Sequence, residues 1–90
     1  QQVGERQGEA VTFNNIGVRY RALGEYEQAL NNFEKSLAIR QEIGDRPGEA
    51  TTLSNIGFTF ALTSQYAEAE RTLYEAIAVS VNWIKIFDKI

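Results

Sequence analysis

Asn15 and Asn55 are the side chains best suited to recognition in this chain: each opens an Asn-Ile-Gly triplet, and 40 residues separate the two. A carboxamide donates and accepts at once, so a row of Asn residues spaced one unit apart suits the backbone amides of an extended peptide without reading its side chains. The competing reading is that each Asn only bonds a neighbouring helix or turn. The residues expected to flank them on the same surface are Asn14, Val18 and Arg21 beside the first, and Phe58 and Leu62 beside the second. Arg21 and Arg19 are the candidate cations there, although Arg19 is equally suited to lay its stem along a preceding unit.

Other chemistry is poorly provided for. The chain has no Cys and no His, which removes disulfides, thiolates and the commonest general base and metal ligand. No catalytic residue, metal site or cofactor is expected, and the chain is not read as an enzyme. Glu25, Glu27, Glu34, Glu68, Glu70 and Glu75 fall where helix faces meet solvent. A formal charge of −3 gives no basic stripe for phosphate backbones, so nucleic acid is not an expected partner. No apolar run approaches the roughly 18 residues needed to span a bilayer, and no secretory signal opens the chain, so the expected location is cytoplasmic, away from membranes. The chain begins inside a repeat without Met and is read as a piece of a longer array.

The repeat positions these residues. Gly4, Arg6, Gly8-Glu9-Ala10, Thr12, Asn15-Ile16-Gly17, Tyr26 and Ala29 recur 40 residues later as Gly44, Arg46, Gly48-Glu49-Ala50, Thr52, Asn55-Ile56-Gly57, Tyr66 and Ala69. Self-similarity at this spacing marks stacked units, each burying its apolar face against its neighbours. Within a unit, Ala10, Phe13, Ile16, Gly17, Tyr20 and Leu23 follow helical spacing, and after Gly24 so do Tyr26, Ala29, Leu30, Phe33 and Leu37. The expected helices are 8–23 and 26–43, then Pro47 to 63 and a fourth from Tyr66, with Asp45 as an N-cap. Gly17 and Gly57 sit mid-helix at a cost of roughly 1 kcal/mol each, which predicts a close approach of the partner helix at Ala29 and Ala69. Tyr26 and Tyr66 are expected in the core.

The residues Asn15-Ile16-Gly17, Tyr20, Gly24-Glu25-Tyr26, Ala29, Phe33 and Leu37 resemble the tetratricopeptide repeat. Ser36 stands where that family prefers Ala, and the second unit departs further, with Phe60, Ser64 and Leu73 in place of Tyr, Gly and an aromatic residue. The usual period of about 34 residues is exceeded through the Gly44-Asp45-Arg46 link, which is similar to the long-repeat branch of multi-repeat bacterial proteins, spindle-orientation adaptors and kinesin light chains. The resemblance implies an all-α solenoid of two antiparallel helix-turn-helix units whose first helices line a concave face. It also implies a protein or peptide partner, held by the two Asn residues. Val11 and Thr51 stand where a carboxylate clamp wants Lys, so a partner of mixed apolar and acidic character fits better than a bare carboxylate tail.

The chain then divides into 1–7 as the remnant of a preceding repeat or linker, 8–47 and 48–80 as the two repeats, and 81–90 as a helical extension. In the extension Trp83, Ile84, Phe87 and Ile90 fall at helical spacing and break the repeat. Three readings compete for it: a cap over the last repeat, a surface for self-association, or a membrane-surface helix. The last is disfavoured by its few cations. The expected function is a protein interaction scaffold, with homo-oligomerisation through exposed ends as the alternative.

Overall fold

The computed structural model describes residues 2–88, the side chains of 86 and 87 apart. It consists of α1 (Val3–Ala22), α2 (Tyr26–Glu42), α3 (Arg46–Leu62) and α4 (Tyr66–Asp88), with no strand among the described residues. The all-α expectation therefore holds. Its helix boundaries need one correction, since α1 starts at Val3 rather than at residue 8, while the extension after Ser80 prolongs α4, which runs unbroken to Asp88. The sequence 3–7 contains no breaker that outweighs the helical register, and the extension after Ser80 lacks the Gly and Asp that end α2 and begin α3.

The three connections use one device. Gly24, Gly44 and Ser64 take φ of 78°, 72° and 62°, the left-handed position that turns a chain out of a helix. Ser64 adopts it with a side chain, at a strain that Gly avoids. At the start of α3, Asp45 acts as the expected cap: its carboxylate accepts the Gly48 N–H at 3.0 Å, and Pro47 lies in the first turn.

Helices α1 and α2 pack as one antiparallel pair and α3 and α4 as another, with α2 against α3 joining them. Among the described residues α1 reaches α3 whereas α2 and α4 do not meet, so the stack curves around its α1/α3 side. The core at the joint is built by Ala29, Phe33 and Ile56, with Tyr20, Leu30, Leu37 and Phe60 packed on it. Gly17 makes room for the Phe33 ring rather than for Ala29, since a Cβ on it would lie 2.7 Å from that ring. A Cβ on Gly57 would lie 2.8 Å from the Leu73 side chain and 3.3 Å from the Ala69 carbonyl.

A polar chain crosses the same joint. Fully buried Ser36 donates to the Ala10 carbonyl at 2.8 Å and accepts from Arg40 Nε at 3.2 Å. Arg40 continues to Asp45 at 3.4 Å. Ser36 thus replaces an apolar Ala because its hydroxyl ties α2 to α1 and orients Arg40. Glu49 is buried beside this chain, with its carboxylate satisfied by Arg46 at 2.7 Å and Gln41 at 3.2 Å. The expectation that Tyr66 belongs to the core is corrected: it is exposed, because no helix of the described residues covers that side of α4.

Candidate functional site

The side of the stack around which it curves carries the residues singled out in the sequence, but the two Asn residues differ in their surroundings. Asn55 is half-buried at the seam between α1 and α3. Its Nδ2 donates to Asn14 Oδ1 at 3.0 Å, and its Oδ1 and backbone carbonyl each accept from Arg21 Nη1 at 3.3 Å. Asn15 is exposed, with no side-chain hydrogen bond among the described residues, beside Thr12, Ile16, Val18 and Arg19 at a shallow cleft. The difference follows from position. Asn55 has α1 on its open side, whereas nothing described lies on that side of Asn15.

Arg21 is the centre of the arrangement. Its guanidinium lies 4.9 Å from the Phe58 ring centroid and 5.4 Å from that of Phe33. Contact with two ring faces stabilises a cation while removing water from it, and that burial lowers the group from its usual value. The guanidinium keeps its charge regardless, since its ordinary range lies far above neutrality. Phe58, Leu62 and Val18 are exposed around it. The surface therefore offers a cation held in place among apolar side chains.

Charge around this surface is one-sided. Residues 10–24 and 50–67, which make up the bodies of α1 and α3, contain no Asp or Glu, although the whole chain carries 12. The acids lie instead on α2, on α4 and at the starts of α1 and α3, where they favour helix N-termini or meet cations such as Arg6, which bonds Glu9 and Glu42 at 2.6 Å each. Thr51 and Ser54 spend their hydroxyls on the carbonyls of Pro47 and Ala50, both at 3.0 Å. Among the described residues no group of three or more His, Cys, Asp or Glu side chains is gathered as a metal-ligand set, and no helix is long and apolar enough to cross a membrane.

Of the residues expected in self-association, Trp83 and Ile84 line one cleft together with Pro47, Ala50 and Thr51 of α3. Trp83 is half-buried beside Arg46 and Asn82, whereas Ile84 is exposed. The Phe87 side chain and Ile90 lie outside the described residues. Ile84 also continues a line of exposed apolar residues on α4, through Leu73, Tyr74, Ile77 and Val81. Sequence reading passed over that line because the repeat assigns Leu73 to the core, yet the spacing 73, 77, 81, 84 was there to be read. The Arg21–Asn55 link was hidden more deeply, since it joins helices 34 residues apart.

A family model for the tetratricopeptide repeat matches residues 5–80, most of the chain. Comparisons with curated proteins and with solved structures returned no match.

Proposed function

The chain belongs to the tetratricopeptide repeat family, and from that premise we propose that the α1/α3 face binds a segment of a protein partner carrying both acidic and apolar side chains. Tetratricopeptide repeats generally mediate protein–protein interaction and are generally non-catalytic. The observation that carries the finer reading is Arg21, fixed against the Phe33 and Phe58 rings in a strip free of Asp and Glu. A partner carboxylate would pair with the outer edge of the guanidinium while its apolar neighbours cover Phe58, Leu62 and Val18. Asn15 supplies an amide for the partner backbone, and Asn55, itself bonded to Asn14, holds Arg21 in place from the seam.

Fluorescence anisotropy with a labelled synthetic peptide of alternating Glu and Leu tests this reading. Binding is expected to be weak, because two repeats make a short groove, and to fall about tenfold with Arg21→Glu. A peptide with Lys in place of Glu should not bind. Equal binding of the two peptides, or indifference to Arg21→Glu in a variant whose helicity is intact, would falsify the proposal.

A further inference from the structure

The joint between α2 and α3 is a template against which the two open ends can be tested. On α3 it uses Gly48, Glu49, Thr52 and Ile56, all buried. The same residue types stand on α1 as Gly8, Glu9, Thr12 and Ile16, yet Gly8 and Thr12 are exposed and Glu9 and Ile16 only half-buried. Thus α1 bears a joint-forming face on which, among the described residues, no helix is packed. Among the described residues the face of α4 that corresponds to the seat on α2 is open too, and it is more apolar toward its far end, where Val81 replaces Gln41 and Ile84 replaces Gly44, while Glu70 replaces Leu30 at the near end. A joint between separate molecules needs that surplus, because association costs translational and rotational freedom that a covalent turn does not.

The register decides whether these two faces fit each other. In the internal joint Phe33 and Ile56 share a core, and eight residues further along α2 Gln41 bonds Glu49, so the helices run antiparallel with Leu30 at the level of Thr59. Transferred by one 40-residue repeat onto α4 and a second copy's α1, this register sets Leu73 opposite Ile16 and Ile77 opposite Thr12. The Leu30/Thr59 level becomes Glu70 opposite Arg19, both exposed in the single chain. An apolar–polar pair has been exchanged on both sides for opposite charges. One helical turn past the other end, Lys85 comes beside Glu5. These lie in the stretches where α1 and α4 outrun α3 and α2, with 20 and 23 residues against 17 and 17.

We propose that copies of this chain join head to tail, the open face of α1 in one copy seated on the apolar line of α4 in the next, with Glu70 paired to Arg19. Such a joint is heterologous and does not close, so it builds linear assemblies. It also continues the α1/α3 strip from copy to copy, which lengthens the short groove; only that consequence rests on the peptide-binding reading.

Sedimentation velocity on the 90-residue chain should show a mass that rises with concentration beyond that of a dimer. Glu70→Arg and Arg19→Glu, both at exposed positions, should each weaken association by about tenfold, since like charges then face each other. An equimolar mixture of the two variants should recover it, because every altered face then meets a complementary one. Three results would overturn the proposal: a monomer at all concentrations, a mass that stops at a dimer and ignores Arg19→Glu, or a mixture no better than either variant alone. The peptide titration is scored separately at Arg21, which bonds Asn55 on the α3 side of α1, although the cleft at Thr12, Ile16 and Arg19 that the joint covers also takes in Asn15 and Val18.

Discussion

Phe33 and Leu73 hold the same place in their repeats, yet the ring is fully buried and the leucine is 39% exposed. Thr52 and Thr12 differ in the same sense, as do Asn55 and Asn15. In each pair the residue at the joint has a neighbouring helix on both sides and its counterpart has one on a single side. The joint also carries its own polar chain, Ser36 to Arg40 to Asp45, whose counterparts Ala76, Ser80 and Lys85 cannot form it. A repeat unit is thus not a unit of structure. Its residues become core or surface according to what is stacked on them.

The largest expected break in the comparison is at the first pair. Phe33→Ala should cost about 3–5 kcal/mol, a large part of the stability available to a chain of this size, whereas Leu73→Ala should cost about 1 kcal/mol. Urea unfolding followed by circular dichroism checks both, and similar losses would mean that α4 is covered in solution. A smaller difference is expected between the two mid-helix glycines. Gly17→Ala gains about 1 kcal/mol of helix propensity but drives a methyl into the enclosed Phe33 ring, and the overpacking outweighs the gain, for a net loss of about 1 kcal/mol. Gly57→Ala meets the Leu73 side chain, which is free to swing toward solvent, and should stay within about 0.5 kcal/mol of neutral. The smallest effect belongs to the Asn pair. Asn55→Ala removes hydrogen bonds to Asn14 and Arg21 and should cost about 1 kcal/mol, while Asn15→Ala should leave the melting temperature nearly unchanged.

The helices, the Asp45 cap and the left-handed turn at Gly44 were legible from residue order because each depends on interactions within a few residues of chain. Tandem duplication was equally plain, and with it the expectation of stacked antiparallel pairs. The candidate surface was legible as a set of residues on one side of α1 and α3. Their roles were not legible: the repeat makes Asn15 and Asn55 identical, and only stacking gives one of them Arg21 and Asn14 as partners.

Local hydrogen bonding and side-chain periodicity are written into neighbouring positions, so the sequence by itself determined four helices, their breaks and the apolar stripe of each. The tertiary structure alone decided which stripes are covered. Burial is a property of the neighbour that arrives as much as of the residue that waits for it, and a 40-residue repeat carries the same letters to both ends of a stack whose ends are not alike.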